Sequence, residues 1–390
     1  MNERPDLVVM MFDYVPSGVV RNALRIAGAA QDAGILTELW TAQGIGEMAE
    51  EVPSGVRVRS VGLTLGELYT PRARKRALGR IAKPLADMLR QFRPRILLSG
   101  GNHFHKVAVE AIHQLDEPER PLLLGRVSNA LPRFSWKPVK LPGSIIKRLR
   151  TRSRYQAMQR LIAVSGQVRH DLARRLFISP DKITVIPNGA DLAEVQRLAK
   201  QPFDHPWFGK NSVPVVVAAG RLTHQKGFDI LLRGFALARQ REPMHLIVLG
   251  EGPEKYQLEA LADQLGISGE VAFEGYVGNP IAYFQRASVF VLPSRWEGLS
   301  NALLEALASG VPVVATRCPG SAELLEGGKC GTLVEVGDVK DLSDGILASL
   351  AREPSPERQL KRVQDFDLRA TLSAYVNVIR EELSAIPDKA

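Results

Sequence analysis

Short apolar runs recur along the chain and alternate with longer amphipathic stretches. In the first half, these runs are DLVVMMF, TELWTA, VRVRSVG, RILLSG, PLLLGRV and RLIAVS, with helical periodicity near 18–33 and 72–92. In the second half they are VPVVVAAG, HLIVLG, VAFEGY, SVFVLPS, VPVVAT and GTLVEV, and helical segments follow most of them. Strands that alternate with helices predict parallel sheets covered on both faces. The pattern therefore predicts an α/β protein with two Rossmann-like domains.

A turn-rich segment separates the two series of strands. Pro187, Asn188 and Gly189 are turn formers, and an irregular polar stretch follows them. The length of 390 residues leaves room for two domains of ordinary size. We expect an N-terminal domain over 1–190, a C-terminal domain over 191–365 and a helical extension over 366–390. The cleft between the domains is the expected site.

The charge of the chain is divided unevenly between its halves. The net charge is +9, but residues 1–190 carry 30 Lys+Arg against 16 Asp+Glu, and the remainder carries 21 against 26. Basic residues concentrate at 72–83 and at 137–160, and the second stretch contains no acid. Such patches attract phosphate-rich surfaces, either anionic lipid headgroups or nucleic acid, although a solvated basic face with no partner has the same pattern.

The sequence lacks the usual signs of export or membrane insertion. No apolar run approaches the roughly 18 residues that span a bilayer, and MNERPDLVVMMFDY has the pattern of a first strand. Cys318 and Cys330 are too few for a disulfide framework or a zinc cluster. We expect a cytoplasmic protein, held peripherally at the inner face of the membrane by its basic half.

Two carboxylates flank a predicted helix start in PSRWEGLSNALLEALASGVPVVAT, residues 293–316. Glu297 falls in a loop, Ser300 is a good N-cap, and Glu305 lies roughly 7.5 Å along the following helix at about 1.5 Å per residue. The helix N-terminus between the two acids is an anion site made by free N–H groups and the helix dipole. A nucleoside diphosphate sugar, with hydroxyls at both ends and phosphates in the middle, suits this layout.

A second segment, AAGRLTHQKGFDILLRGFA at 218–236, offers two cations ahead of a helix. Arg221 and Lys226 could clamp a diphosphate. The segment lacks the GxxxxGK[ST] and GxGxxG patterns, which disfavours ATP hydrolysis and NAD chemistry. The acid-x-acid pattern at 365–367 precedes a helix, where Asp367 is a plausible N-cap, and we expect no metal site.

Taken in order, these segments resemble the retaining glycosyltransferases of family 4, which have the GT-B fold and a motif of two glutamates separated by seven residues. The resemblance covers roughly 215–335 through GRL, KG, EGP, FEG and the 293–305 segment, and extends more loosely to Gly18, Arg21, Gly34 and the IPNGAD hinge. It implies two parallel-sheet domains facing across a cleft, with the C-terminal helix packing back toward the N-terminal domain.

The resemblance also implies roles for individual residues. Arg221 and Lys226 would bind the donor diphosphate, Glu305 the ribose hydroxyls and Glu297 the hydroxyls of the transferred sugar. Gly18 and the backbone of Leu299, Ser300 and Asn301 would complete the site for the phosphates and sugar. The base pocket would be lined by Glu251, Gly252, Tyr276 and Val277. The implied reaction is retaining and needs neither a metal nor a true cofactor. The acceptor hydroxyl would attack from the face that the diphosphate leaves, and a donor phosphate oxygen would take its proton.

The acceptor side departs from the family pattern. Many relatives carry a His at the end of the strand PLLLGRV, where this chain has Ser128 and Asn129. Candidates for the acceptor side, with His103 also a candidate for a catalytic role, are Asn102, His103, Arg126 and Asn129.

We therefore expect a glycosyltransferase that uses a UDP-sugar, or next a GDP-sugar, and a glycan or lipid-linked acceptor in bacterial cell-surface polysaccharide or lipopolysaccharide synthesis. An epimerase or hydrolase of nucleotide sugars with the same fold is the alternative. A glycosidase would explain the acid spacing but not Arg221 and Lys226. A nucleic-acid-binding protein is a remote alternative, because the basic stretches lack interleaved aromatics and no recognition motif occurs.

Overall fold

The computed structural model describes residues 3–62, 71–130, 142–209, 213–352 and 356–386, with side chains within the helices omitted for 71–78 and 142–145. Lys137 and Lys140, which belong to the predicted basic stretch, lie outside the described residues. The chain divides into two compact units, one formed by Met1–Pro187 with Ala370–Ala390 and the other by Asn188–Arg369. The predicted domains had boundaries after residues 190 and 365.

Strands and helices alternate through most of the described chain. The strands are β1 (Leu7–Met11), β2 (Thr37–Thr41), β3 (Arg57–Ser60), β4 (Ile96–Ser99), β5 (Leu122–Val127), β6 (Arg160–Ala163), β7 (Ile183–Val185), β8 (Val215–Ala219), β9 (His245–Leu249), β10 (Val271–Gly275), β11 (Val289–Leu292), β12 (Val313–Thr316) and β13 (Thr332–Val334). The helices are α1 (Gly18–Asp32), α2 (Pro71–Phe92), α3 (His105–Ile112), α4 (Pro142–Gln156), α5 (Gly166–Leu176), α6 (Leu192–Ala199), α7 (Phe228–Arg239), α8 (Lys255–Gln264), α9 (Ile281–Phe284), α10 (Asn301–Ala308), α11 (Pro319–Leu324), α12 (Val339–Leu350), α13 (Pro356–Gln364) and α14 (Leu368–Ser384).

The first unit is built on a parallel sheet with the order β3-β2-β1-β4-β5-β6-β7 in the described residues. All of β1 is buried, as expected for a central strand covered on both faces. The sequence pattern predicted β1 to β6, whereas β7 directly precedes the segment interpreted as the hinge. Its three residues precede the turn at Pro187, and so short a run carries little periodicity.

The last helix, α14, belongs to the first unit for most of its length. Tyr375, Val376, Val378 and Ile379 are buried in the same cluster as β1 and α1. The prediction that the C-terminal helix returns to the N-terminal domain is confirmed. The reason is its apolar face, which the sheet of the first unit covers.

The second unit has a parallel sheet with the order β10-β9-β8-β11-β12-β13 over the described residues. Its core includes α7 and α12 packed against the central strands, through residues such as Phe235, Leu342 and Ile346. The order reverses between β8 and β11, just as it does between β1 and β4 in the first unit. Open parallel sheets bind ligands beyond the carboxyl ends of the strands at such reversals.

Across the described ranges, no helix is both long enough and apolar enough to cross a lipid bilayer.

Candidate functional site

The loops that follow β8 and β11 touch at the reversal point of the second sheet. Gly227 ends the first loop with a left-handed φ of +69°. A Cβ atom there would lie 2.2 Å from the carbonyl oxygen of Pro293, which begins the second loop. No other residue type permits so close an approach, so glycine at this position lets the two loops pack directly on each other.

This contact brings Lys226 to Glu297. The Lys226 ammonium donates to Oε1 of Glu297 at 2.5 Å, and the Ser294 hydroxyl donates to the same oxygen at 2.8 Å. The Glu297 side chain is 7% exposed and the Lys226 side chain 18%. Removing Lys226 from this pair would leave the charge of the buried Glu297 uncompensated, which is unfavourable.

A second ion pair stabilises the loop that carries Glu297. The Arg295 guanidinium donates to both carboxylate oxygens of Asp229 at 2.8 and 2.7 Å, the bidentate geometry that arginine favours. These hydrogen bonds hold the pKa of Asp229 below its usual range. The Arg295 N–H donates to the Gln225 carbonyl at 2.7 Å, and the Gln225 amide donates to the Trp296 carbonyl at 3.0 Å. The loops around Lys226 and Glu297 are therefore tied at several points.

The N-terminus of α10 follows directly. Ser300 is the N-cap, as predicted, and its hydroxyl accepts from the Leu303 N–H at 3.4 Å. The carbonyl of Leu299 accepts from the buried Asn188 amide at 2.9 Å. Asn188 begins the second unit, so the first residue of that unit holds the loop before α10 in position.

The predicted donor residues on α10 occupy its first turns. Asn301 is the first residue of the helix, and Glu305, half-buried, is its fifth. Glu297, Ser300 and the start of α10 are thus consecutive parts of one loop-to-helix transition. The first N–H groups of an α-helix lack partners within the helix and form an anion site.

Arg221 lies after β8 with its side chain exposed. Within the described ranges, its guanidinium has no hydrogen-bond or ion-pair partner, whereas Lys226 is paired. The structure therefore brings Lys226 and Glu297 together and leaves Arg221 available to solvent. Its role in diphosphate binding stays a prediction.

The residues predicted for the base pocket follow β9 and β10, on the same edge of the sheet. A Cβ at Gly252 would lie 2.3 Å from the carbonyl oxygen of Leu222, so the β9 loop packs against the β8 loop. Glu251 accepts from Lys255 at 3.1 Å, Tyr276 is 41% exposed and Val277 is half-buried. The structure places Gly252 against the loop that leads to Lys226, and the contact of these four positions with a base stays a prediction.

In the first unit, the predicted residues follow β1, β4 and β5. Gly18 is the first residue of α1, and the cap residue Ser17 accepts from Val20 N–H at 3.2 Å. Asn102, after β4, accepts from the backbone N–H of Ser128 at 2.8 Å and donates to the carbonyl of Asn129 at 3.4 Å. The loops after these neighbouring strands are thus joined by one amide side chain.

The two other acceptor-side candidates differ in exposure. The His103 ring is half-buried, with its centroid 5.3 Å from that of Phe104. Arg126 is 2% exposed, and its Nε donates to the Tyr375 hydroxyl at 3.0 Å. The guanidinium thus joins β5 to α14, a structural role that sequence reasoning did not foresee. Contact of either residue with an acceptor stays a prediction.

Sequence reasoning missed several residues that support the site. Asn188 was interpreted as a turn former, and no role was given to Asp229, Gln225 or Arg295. For Arg295, the sequence offered one signal of such a role, its position next to the predicted Glu297 loop. The partner of each of these residues lies 66 to 111 positions away, beyond the reach of local patterns.

Two family models match the chain over nearly its whole length. Residues 16–194 match the model described as Glycosyltransferase Family 4. Residues 201–365 match the model described as Glycosyl transferases group 1.

Curated relatives are similar over part of the chain. The lipopolysaccharide core biosynthesis glycosyltransferase LpsE of Rhizobium meliloti is 32% identical over 204 residues, which are 51% of this chain and 58% of that protein. The N-acetylgalactosamine-N,N'-diacetylbacillosaminyl-diphospho-undecaprenol 4-alpha-N-acetylgalactosaminyltransferase of Campylobacter jejuni is 31% identical over 181 residues, 46% of this chain and 47% of that protein. The matched stretches span about half the length of these relatives.

Solved structures extend the likeness to the whole fold. Sucrose-phosphate synthase from Thermosynechococcus elongatus has a TM-score of 0.77 at 19% identity, covering 98% of this chain and 100% of that chain. Anabaena HepE in complex with UDP-glucose has a TM-score of 0.69 at 17% identity, covering 97% and 99%. The two parallel sheets and these neighbours confirm the prediction of a two-domain α/β GT-B fold. With both family models matched in order along it, the chain belongs to the glycosyltransferases of family 4.

Proposed function

We propose that this protein transfers a sugar, with retention of anomeric configuration, from a nucleoside diphosphate sugar to a glycan or lipid-linked acceptor. The observation that carries the proposal is the partly buried pair of Lys226 and Glu297 beside the capped N-terminus of α10. A cation, an anion-binding helix start and a carboxylate acceptor adjoin one another there. This combination matches a diphosphate joined to a hydroxylated ring.

Each group has a distinct part in the proposed reaction. Both contacts of Glu297 use Oε1, which leaves Oε2 to accept a hydrogen bond from a hydroxyl of the transferred sugar. Lys226 and Arg221 stabilise the charge that develops on the departing diphosphate. The acceptor hydroxyl forms the new bond to the anomeric carbon on the face from which the diphosphate leaves, and a phosphate oxygen takes the hydroxyl proton. Neither a metal nor an enzymic nucleophile is part of this proposal.

The comparisons support a donor and an acceptor class. Anabaena HepE is described with UDP-glucose, and the Campylobacter jejuni relative is named for a diphospho-undecaprenol acceptor. LpsE of Rhizobium meliloti is named for lipopolysaccharide core synthesis. We therefore favour a UDP-sugar donor, with GDP-sugar next, and a role in bacterial cell-surface polysaccharide or lipopolysaccharide synthesis.

Substitution of the central pair tests the activity. Lys226→Ala and Glu297→Ala are each expected to lower kcat/KM by roughly 10²-fold or more, the cost of losing one preorganised charge-stabilising group. Lys340→Ala removes an exposed lysine of the same unit and is expected to leave the rate unchanged. Activity is measured with the donor selected by a thermal-shift panel of UDP-, GDP- and ADP-sugars. Full transfer by either pair variant, or no shift with any nucleotide sugar, would refute the proposal.

The product separates the proposed transferase from an epimerase or hydrolase of nucleotide sugars. A transferase gives a sugar linked to the acceptor, and turnover stops when the acceptor is omitted. Free sugar released at the same rate without acceptor would establish hydrolysis instead. Conversion of the donor into its epimer would establish epimerisation.

We further propose that the protein works at the cytoplasmic face of the membrane, attached through the basic surface of the first unit. On α4, Ile146 and Leu149 are 48% and 56% exposed, and Lys147 and Arg150 beside them are exposed as well. Apolar side chains flanked by cations are typical of helices that bind the interface of anionic lipids.

Vesicle sedimentation tests this attachment. Neutralising the four arginines of α4 to Gln is expected to abolish sedimentation with phosphatidylserine vesicles, and these residues are Arg148, Arg150, Arg152 and Arg154. The matched control neutralises four exposed cations of the second unit to Gln and is expected to sediment normally; these residues are Arg197, Arg241, Arg317 and Lys340. Unchanged sedimentation of the four-arginine variant would contradict membrane docking by this surface.

A further inference from the structure

A cavity lies at the edge of the second sheet opposite the donor loops. It has a volume of about 180 Å³ and is open to solvent on one side. Its lining comes from the starts of β12 and β13, the end of α12 and the first turn of α13, and includes Lys329, Cys330, Thr332, Ser349, Arg352 and Arg358.

The cavity is separate from the Lys226 and Glu297 loops. Val313 begins β12, whereas Thr316, at its end, donates to the carbonyl of Ser294 in the Glu297 loop. Four strand residues span about 10 Å at roughly 3.3 Å per residue. A ligand in the cavity therefore lies one strand length from the donor loops and uses none of their residues.

Three cations surround the mouth. Lys329, Arg352 and Arg358 line the cavity, and its described lining contains no Asp or Glu. The acid Glu326 is adjacent to the lining: one of its carboxylate oxygens lies 3.6 Å from the Arg362 guanidinium, and the other accepts from the Cys330 thiol at 3.9 Å. Three positive charges on the lining, against this one neighbouring carboxylate, favour an anionic ligand.

The floor offers neutral polar groups. One hydrogen bond of 3.1 Å joins the hydroxyl groups of Thr332 and Ser349. This bond uses one of the two hydroxyl protons, so the other proton can be donated to a ligand. Ser349 is 6% exposed and Cys330 3%. Burial raises the pKa of the Cys330 thiol, so the floor carries no thiolate at neutral pH. The described lining residues themselves therefore carry no negative charge.

We propose that this cavity binds a small phosphate-bearing anion, held by Lys329, Arg352 and Arg358 and by the free hydroxyl proton of the Thr332 and Ser349 pair. The cavity volume of about 180 Å³ lies below the roughly 300–1,000 Å³ of pockets that enclose drug-sized ligands. This size favours a phosphate or diphosphate group over a whole nucleotide sugar. The arginine forks and the lysine point charge are the groups that recognise phosphate.

Isothermal titration with sodium pyrophosphate tests the site, with inorganic phosphate as a second probe. The titration uses the full chain carrying Lys226→Ala, which weakens binding at the donor loops, and both double variants are made in this background; the ionic strength is matched with NaCl. One molecule of pyrophosphate is expected to bind per chain. Lys329→Gln with Arg358→Gln is expected to weaken this binding at least tenfold. The matched control, Lys361→Gln with Arg369→Gln, removes the same charge from exposed positions outside the cavity and is expected to change affinity less than twofold.

Three results would overturn the site. Heat no larger than that of NaCl at equal ionic strength means that pyrophosphate does not bind. Equal weakening by both double variants means that only the net charge of the unit matters. A loss below threefold in the cavity variant, with an unchanged melting temperature without ligand, means that the anion binds elsewhere. If the cavity double variant does not fold, Arg352→Gln alone takes its place, with the same tenfold threshold.

Discussion

Gly227 and Gly266 have nearly the same backbone conformation but different surroundings. Their φ angles are +69° and +66°. A Cβ at Gly266 would meet nothing within 4 Å, whereas one at Gly227 would lie 2.2 Å from the Pro293 carbonyl oxygen. The pair therefore separates the cost of the left-handed conformation from the cost of losing the contact between the loops.

We predict that Gly266→Ala lowers the free energy of unfolding by about 1–2 kcal/mol, the cost of a left-handed L-residue, and leaves donor binding intact. Gly227→Ala carries the same cost and also forces the Pro293 loop away, so it is expected to destabilise more and to weaken donor binding at least tenfold. Urea unfolding and thermal shift with the donor measure the two effects. Equal donor affinity in both variants would contradict the role given to the loop contact.

His105, two residues after the predicted His103, is fully buried and makes its described hydrogen bond with Ser99 at 2.8 Å. Burial, with a contribution from the Arg154 charge, lowers its pKa from 6.5 to about 3. In the unfolded chain, the His105 ring is therefore protonated as the pH falls through 6.5. In the folded chain, the ring is protonated only near pH 3. The contribution of His105 to the free energy of unfolding is therefore at its full value above pH 6.5 and decreases as the pH falls below 6.5.

We predict that the free energy of unfolding of the first unit falls by about 1.4 kcal/mol between pH 7.5 and 5.5 because of His105 alone. His105→Asn keeps a polar partner for Ser99 and removes the titration. The wild-type loss over this interval should exceed the variant loss by that amount in urea unfolding. Identical pH dependence in the two proteins would show that the unfolded state does not gain this proton.

At the scale of elements, the start of α10 depends on a residue far away in the sequence. Asn188 Nδ2 donates to the Leu299 carbonyl, 111 positions on, and Ser300 then caps the helix. Asn279 makes a comparable contact at 2.9 Å with the Leu198 carbonyl in the same unit. The two asparagines share a type of contact but support different segments.

We predict that Asn188→Ala and Asn279→Ala each destabilise the second unit by about 1–3 kcal/mol, since each leaves a carbonyl without its partner. Asn188→Ala alone is expected to raise the KM for the donor several-fold, because the helix N-terminus loses its fixed position. Steady-state kinetics and chemical unfolding measure the two quantities. A similar KM in the two variants would mean that Asn188 supports folding only.

The elements themselves were largely predictable, because their signals are local. Buried runs such as LVVMM and VVVAA become central strands, and Ser300 caps α10 as its position before an apolar helix indicates. The strand β7 was missed because three residues carry too little periodicity. The pairing of Lys226 with Glu297 spans 71 positions, and that of Arg126 with Tyr375 spans 249. Such contacts depend on strand order, which the sequence pattern does not specify.

At the scale of the whole molecule, each unit has its own hydrophobic core. Ile379 in α14 is fully buried in the first core, and Ile346 in α12 is fully buried in the second. The two isoleucines are 33 residues apart along the chain yet belong to different units. Substituting each isoleucine in turn therefore tests whether a packing defect in one core also destabilises the other unit.

We predict that Ile379→Ala costs about 2–5 kcal/mol in the first unit and Ile346→Ala a similar amount in the second. Amide hydrogen exchange should therefore accelerate in β1 for Ile379→Ala and in β8 for Ile346→Ala, as expected for separate cooperative units. Mass spectrometry of peptides covering residues 7–11 and 215–219 gives the readout. Acceleration of β8 by Ile379→Ala to the same extent would contradict the division.

Two backbone hydrogen bonds join the two ends of the second unit. The Ala190 N–H donates to the Phe366 carbonyl at 2.8 Å, and the Leu368 N–H donates to the Ala190 carbonyl at 3.1 Å. This unit is therefore a closed insertion within the first one, which resumes at Ala370. During synthesis the second unit can fold as soon as its own residues emerge from the ribosome, whereas the first unit must wait for the residues of α14. The unit translated first is thus the last to complete its core, and its exposed sheet is the surface that a chaperone would meet.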